Sequence, residues 1–346
     1  MLLRLRSTLP GLELDAVLEL ARELGYRTRF LDERREMLEL TGPGRPEHRS
    51  RFEDLAGVRA VLDAGEAHER HERAPGQADT VVSAAEARFG GGSLALIAGP
   101  CAVEDYDRLA DIARRVQSHG ATLLRGGAYK PRTSPYSFQG LGDQGLDYLA
   151  RVRTEVGIGV VTEVLDPRDV EKVGDACDMF QIGARSMTNT PLLIEVGETR
   201  KPVLLKRGFA ATVRELLLAA EFILARGNTQ VVLCERGVRG HDPVTRNLLD
   251  VGAVAYLKRV THLPVIVDPS HAAGRADLVR PLARAGVAAG ADGLIVEVHT
   301  DPSEAHSDAT QAVSPEVFGA IAADAAAIAA LDRRRVVLPP VRKAAV

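Results

Sequence analysis

From Leu94 onward one unit recurs: a short Leu- or Val-rich run, a Gly-bearing or polar turn, then a helix-period stretch of Ala, Leu, Glu and Arg. This alternation constrains the fold more than any other feature, because strands separated by helices pair in parallel. The runs predicted as strands are LALIA (Leu94–Ala98), TLLRG (Thr122–Gly126), IGVVTEV (Ile158–Val164) and MFQIG (Met179–Gly183). They continue as PVLLKRG (Pro202–Gly208), VVLCERG (Val231–Gly237), PVIVDPS (Pro264–Ser270) and GLIVEVH (Gly293–His299). Helix signals include Glu104–Ser118, Asp166–Asp175, Thr212–Ala225, Pro243–Lys258 and Asp277–Ala289. Pro315–Leu331 closes the set, with Pro315 in the first turn, where no N–H is needed. None of the eight strands has the polar pattern of an edge, so the predicted fold is α/β, a closed (β/α)8 TIM barrel rather than an open sheet.

A chain of 346 residues exceeds what one barrel needs. Ahead of it stand LLRLRST, the helix pattern DAVLELARELGY, the strands RTRFLDE and REMLELTG, a second helix SRFEDLAG and a last strand VRAVLDAG. That βαββαβ order predicts a small ferredoxin-like α+β domain over residues 1–65. The charged stretch EAHERHERAPGQ places a linker at 66–79, with His68 and His71 as solvated residues rather than metal ligands. The barrel is expected over 80–335, its bottom covered by a hairpin within Thr80–Ser93, and 336–346 as a basic tail.

The formal net charge of −3 gives no general attraction to nucleic acid or to an anionic membrane, so anion binding must come from locally placed Arg and Lys. The N-terminus lacks an apolar signal core, and no run is long enough to span a bilayer. A cytoplasmic protein is expected. Cys101, Cys177 and Cys234 are too few and scattered for a disulfide framework.

Catalytic groups of such barrels lie at the C-terminal ends of strands. Cys101, His271, Glu297 and Asp308 fall after strands one, seven and eight, and a thiolate, an imidazole and two carboxylates suit a divalent Mn, Fe, Co or Zn ion. Singly, each has an ordinary use: a small buried hydrophobe, a helix-start hydrogen bonder, a barrel ion pair, an N-cap. Their joint placement favours the metal. Arg125, Lys130, Arg132, Arg185, Lys206 and Arg236 occupy strand ends or the loops beyond, where solvation does not explain them and a phosphate ester would. Thr133 and Ser134 add hydroxyls. The alternative is structural ion pairing with Glu163, Glu235 and Asp268.

The strings GPCAVE (Gly99–Glu104), RGGAYKPRTSPYSFQG (Arg125–Gly140), QIGAR (Gln181–Arg185), LLKRG (Leu204–Gly208), ERG (Glu235–Gly237), DPSHAAG (Asp268–Gly274), EVH and SDATQ (Ser307–Gln311) closely resemble 3-deoxy-D-arabino-heptulosonate 7-phosphate (DAHP) synthases. The resemblance spans the barrel and is to the short type I branch with an N-terminal ferredoxin-like regulatory domain. It implies a divalent metal, Mn2+ foremost, on Cys101, His271, Glu297 and Asp308. It also implies a phosphoenolpyruvate site of Arg125, Lys130, Glu163, Gly183, Ala184, Arg185, Lys206 and Arg236. Arg132, Thr133 and Ser134 match the erythrose 4-phosphate site. Lys130 is the candidate proton donor, since a lysine among cations releases its proton more readily, and His271 a second proton-handling group while ligating the metal. An aromatic amino-acid effector and a homotetramer are further implications. The sequence departs from the family pattern at SMTN (Ser186–Asn189) and at Gly240 and His241. KPRTSP argues against the related octulosonate 8-phosphate synthase, and the full set of ligands and cations argues against a silent scaffolding barrel.

Overall fold

The first four strands of the chain form a small antiparallel sheet. The structure, a computed structural model, describes residues 1–6, 11–31, 35–43, 45–62, 69–74, 76–130, 134 and 136–339. It divides into the units Met1–Arg70 and His71–Val346. The first contains β1 (Leu2–Leu5), α1 (Gly11–Glu23), β2 (Arg27–Phe30), β3 (Met37–Thr41), α2 (Pro46–Glu53) and β4 (Val58–Leu62). Its strands lie in the antiparallel order β2-β3-β1-β4, the ferredoxin-like arrangement predicted. Leu3, Leu5, Val17, Ala21, Leu38, Phe52 and Val61 form its core.

The second unit opens with the hairpin β5 (Val82–Ala84) and β6 (Ala87–Phe89). Then follow β7 (Ser93–Gly99), α3 (Tyr106–Ser118), β8 (Leu123–Arg125), α4 (Asp143–Glu155), β9 (Gly159–Glu163), α5 (Val170–Ala176), β10 (Met179–Ile182), α6 (Thr190–Glu198), β11 (Val203–Lys206) and α7 (Val213–Leu224). The chain continues through β12 (Val231–Glu235), α8 (Val251–Val260), β13 (Val265–Val267), α9 (Pro269–Ala273), α10 (Ala276–Ala288), β14 (Gly293–Glu297), α11 (Pro315–Leu331) and β15 (Arg335–Val336). Strands β7 to β14 pair in parallel in sequence order, and β14 pairs with β7 from Gly293↔Ala95 to Glu297↔Gly99, closing the barrel.

Side chains alternate across each strand, so one set faces the helices and the other the barrel axis. Leu94, Leu96, Leu124, Val160, Phe180, Leu205, Leu233, Val267 and Val296 join the helix-facing core. Ile97, Leu123, Val161, Met179, Leu204, Cys234, Ile266 and Ile295 form the inner one, which the hairpin residues Val82, Ala84, Ala87 and Phe89 enter. The predicted cover is thus a plug continuous with the barrel interior.

Three local expectations change. The helix predicted from Pro243 begins at Val251: the Asp250 side chain accepts from Ala253 N at 2.8 Å, while Arg246 N and Asn247 N donate to Ala273 O and Ala272 O. Residues 243–250 therefore form a loop tied to α9. Within the expected linker, His68 lies outside the described residues, but His71 is 3% exposed and contacts Glu221 at 3.2 Å rather than being solvated. Arg73 bonds Asp79 and the carbonyl of Thr261, so the chain joins the barrel unit from His71. At the other end Val336, expected in the tail, belongs to β15, because Gly92 O, just before β7, and Leu94 O on β7 accept from Arg335 N and Val337 N. Among the described residues no helix is long and apolar enough to cross a membrane.

Phe89 is fully buried in the plug. Phe89→Ala is expected to destabilise the fold by about 3–5 kcal/mol, read as a lower urea midpoint.

Candidate active site

The inward period that supplies the apolar core runs one step further at the top of each strand and turns polar. Two residues beyond Ile97, Leu123, Val161, Met179, Leu204, Cys234, Ile266 and Ile295 stand Gly99, Arg125, Glu163, Gln181, Lys206, Arg236, Asp268 and Glu297. The neighbouring outward positions behave differently. Arg207 donates to Glu235 at 2.8 Å and to Asp250 at 3.2 Å, a buried pair behind the wall. Alternation thereby sorts KR and ER: Lys206 and Arg236 line the pocket, Arg207 and Glu235 do not.

One pocket is lined by Arg125, Lys130, Glu163, Gly183, Ala184, Arg185, Lys206, Arg236, His271 and Asp308, all singled out from sequence. Gln181, Phe209 and Arg246 line it as well. Arg125 is 4% exposed, and its Nε and Nη1 are buried with no hydrogen-bond partner, donors aimed at a ligand. Lys130 Nζ donates to the Cys101 carbonyl at 2.5 Å. A Cβ on Gly183 would stand 1.9 Å from Glu163 Oε1, so only glycine lets that carboxylate close the wall. Ser134 sits on an exposed turn, accepting from Tyr136 N, and does not line the pocket; Arg132 and Thr133 lie outside the described residues.

At one side of the pocket, ligand atoms of Cys101, His271, Glu297 and Asp308 lie within 4.8 Å of one another. The β14–β7 ladder sets Glu297 beside Gly99, two residues before Cys101. Asp268, wholly buried, accepts from Lys206 Nζ at 2.6 Å, His271 Nδ1 at 2.8 Å and His271 N at 2.9 Å. That bond places the ring proton on Nδ1 and leaves the Nε2 lone pair free. Burial pulls the His271 pKa down against the pull of Asp268 and Glu297, so the ring is neutral. Gln311 Nε2 holds Glu297 Oε2 at 2.6 Å, and Arg246 Nη1 reaches both Gln311 Oε1 at 3.0 Å and Asp308 Oδ1 at 3.1 Å.

These donors fit a divalent ion. Glu297 Oε1 is buried without a properly directed hydrogen bond, although Arg125 Nη2 and His271 Nε2 stand only 3.0 and 3.2 Å away. The distances satisfy the charge and the directions do not, so that lone pair is free. Burial pushes the Cys101 thiol up to about 12, with Glu297 and Asp308 adding to it, as a site awaiting positive charge would. Burial also raises both carboxyls, but His271 and Arg125 outweigh it at Glu297, and Cys101, His271 and Arg246 at Asp308, leaving each below its usual value. Cys177 and Cys234 are buried in the apolar cores, away from this cluster.

The family model for the DAHP synthetase I family matches residues 78–329. The chain belongs to this family. The phospho-2-dehydro-3-deoxyheptonate aldolase of Thermotoga maritima is 48% identical over 268 residues, 78% of this chain and 79% of that protein. A 2-dehydro-3-deoxyphosphooctonate aldolase of Acidithiobacillus ferrooxidans is 34% identical over 239 residues, 63% and 83% of the two chains. The crystal structure of the Thermotoga maritima DAHP synthase superposes with a TM-score of 0.78 at 40% identity, covering 97% of this chain and 98% of that one. A truncated form of the Thermotoga maritima synthase gives 0.71 at 43%, covering 77% and 98%. Within SMTN, Asn189 caps α6 and the Met187 sulfur accepts from Gly208 N.

Phe209, Gln181, Arg246 and Gln311 were not singled out as site residues from sequence. Gln181 and Gln311 lie inside QIGAR and SDATQ, and inward parity marks Gln181. Arg246 and Phe209 carry no local signal.

Two outcomes follow from the geometry. Asp268→Asn is expected to weaken divalent-cation binding roughly 10–100-fold, measured by competition with a chromogenic chelator. Since His271 is neutral and both carboxyls already ionised, the Cys101 thiol alone has a proton to lose on metal binding. Affinity should therefore rise with pH around neutrality, about tenfold per unit, with one proton released in calorimetry across buffers of different ionisation enthalpy.

Proposed function

We propose that the chain condenses phosphoenolpyruvate with D-erythrose 4-phosphate and water to 3-deoxy-D-arabino-heptulosonate 7-phosphate and phosphate, the first step of the shikimate pathway. The observation that carries this reading is a four-donor cluster opening on a pocket lined by Arg125, Lys130, Arg185, Lys206, Arg236 and Arg246. A doubly charged phosphate ester bearing a carboxylate suits that wall.

Arg125, Arg185, Lys206 and Arg236 hold the phosphoenolpyruvate charges, with Glu163, Gly183 and Ala184 shaping the wall; alignment of this kind is worth up to roughly 7–11 kcal/mol. The enol carbon attacks the aldehyde, water adds at carbon-2, and phosphate leaves by C–O cleavage. Cys101, His271, Glu297 and Asp308 would hold a divalent ion, Mn2+ foremost with Fe2+, Co2+ or Zn2+ as alternatives, supplying Lewis-acid polarisation of the aldehyde oxygen. Lys130, anchored by Nζ on the Cys101 carbonyl beside that cluster, delivers the proton to the new alkoxide. His271 keeps its Nδ1 proton in the bond to Asp268, the second proton-handling position. Arg132, Thr133 and Ser134 take the erythrose phosphate, on the strength of the KPRTSP string alone. An aromatic amino acid acting on the N-terminal unit and a homotetramer belong to the same reading, supported by the ferredoxin-like order and family membership.

Phosphate release from phosphoenolpyruvate should depend on erythrose 4-phosphate and stop on chelation. Arabinose 5-phosphate serving equally well would shift the assignment to the octulosonate reaction. Lys130→Met is expected to lower kcat about 10²–10⁴-fold; near-normal turnover would remove the acid role. Cys101→Ala fully active after chelation would remove the metal. Rates with added Tyr or Phe, and sedimentation, test the effector and the tetramer.

A further inference from the structure

Phe209, one residue past the LLKRG string, has surroundings that neither the motifs nor the reaction explains. The guanidinium carbons of Arg236, Arg185 and Arg239 lie over its ring, 4.7, 5.4 and 5.5 Å from the centroid. Every other cation-bearing ring among the described residues carries one. Among the described residues none of these three arginines has a carboxylate partner, whereas the nearby Arg207 and Arg246 both do. Among the described residues, the one hydrogen bond from the Arg236 side chain goes to the Gly237 carbonyl at 3.4 Å.

We propose that Phe209 is a positioning residue for the phosphoenolpyruvate site, its ring holding Arg185 and Arg236 by their faces so that their N–H edges stay free for the anion. The inference rests on the phosphoenolpyruvate reading above. A guanidinium meets an aromatic ring through its π face and a phosphate through its in-plane N–H fork, so the two contacts do not compete. A carboxylate partner would hold the same arginine by consuming that fork. Burial works most against the charge on Arg236, Asp268 supports it and the neighbouring Arg246 opposes it, and the ring face adds attraction at a guanidinium that no acid contacts directly. Its own placement is fixed on both sides. Arg239 N donates to the Phe209 carbonyl at 2.7 Å, Arg207 Nε donates to Ala211 O at 2.8 Å, and Gly208 N donates to the Met187 sulfur. Arg239, which precedes Gly240 and His241, also lies over the same ring.

The test replaces Phe209 by mono-, tri- and pentafluorophenylalanine, which keep the ring's shape while weakening and then reversing its negative face, with Phe209→Leu as the variant lacking a ring. The Kd and KM for phosphoenolpyruvate are expected to rise stepwise with fluorination, by about 3- to 10-fold at the pentafluoro ring. The kcat should stay within about twofold, with the KM for erythrose 4-phosphate and the Tm unchanged, the split expected when ground-state and transition-state binding fall together. A flat fluorination series in protein that turns over phosphoenolpyruvate overturns the inference alone, even if Phe209→Leu is impaired, because the ring would then only fill space. Wild-type protein that neither binds nor turns over phosphoenolpyruvate removes the proposed function and this inference with it.

Discussion

The β14–β7 ladder is the constraint on which the rest depends. Its register, Glu297 opposite Gly99, joins the ends of the barrel sequence and brings a carboxylate from the last strand beside the loop carrying Cys101. Closure also leaves no edge strand in the eight, so each wall position is defined by neighbours on both sides. Once the ring is closed, the two-residue period does the sorting. Apolar side chains fill the axis up to Ile97, Val161, Leu204 and Ile295, and the next inward layer lines the pocket. Charged groups occupy that layer because it is the mouth.

Burying so many ionisable groups in one layer requires that their charges be balanced locally. The molecule uses three arrangements. Arg207 and Glu235 neutralise each other behind the strands and present nothing to the pocket. Asp268 draws Lys206 and His271 toward one carboxylate, so the anion wall and the metal-ligand cluster share a support. Arg185 and Arg236 meet a ring instead of an acid. Arg125 stands between the first and last of these: one nitrogen lies beside Glu297, and two more are buried without a hydrogen-bond partner in a residue that lines the pocket.

The sequence-derived alternatives find their answers in this partition. Structural ion pairing was the competing explanation for the strand-end cations, with Glu163, Glu235 and Asp268 as partners. Glu235 takes Arg207, Asp268 takes Lys206 together with His271, and Glu163 hydrogen-bonds Gln181 at 3.4 Å. Pairing and ligand binding are therefore not exclusive: Lys206 is oriented by its acid yet still lines the pocket. The ends of the barrel unit show why boundaries were harder to read. His71, Arg73 and Val336 lie in charged or Pro-bearing stretches that look solvated, and each is held by a partner distant in the chain: Glu221, Thr261 and Leu94.

By itself, the sequence determined the βα alternation, the ferredoxin-like order of the first unit and the strand-end placement of Cys101, Arg125, Lys206, His271 and Glu297. Those features follow from local periodicity, which each segment carries alone. The motif strings added the family, because side chains that meet a substrate recur in short runs. The folded contacts alone reveal that Asp268 joins two sites, and that Phe209, Arg246 and Gln311 belong there. These depend on closure and on contacts between residues 14 to 65 positions apart, such as Gln311 with Glu297 and Arg246 with Gln311. No window of sequence contains them, since the register of a ring is set by the whole ring.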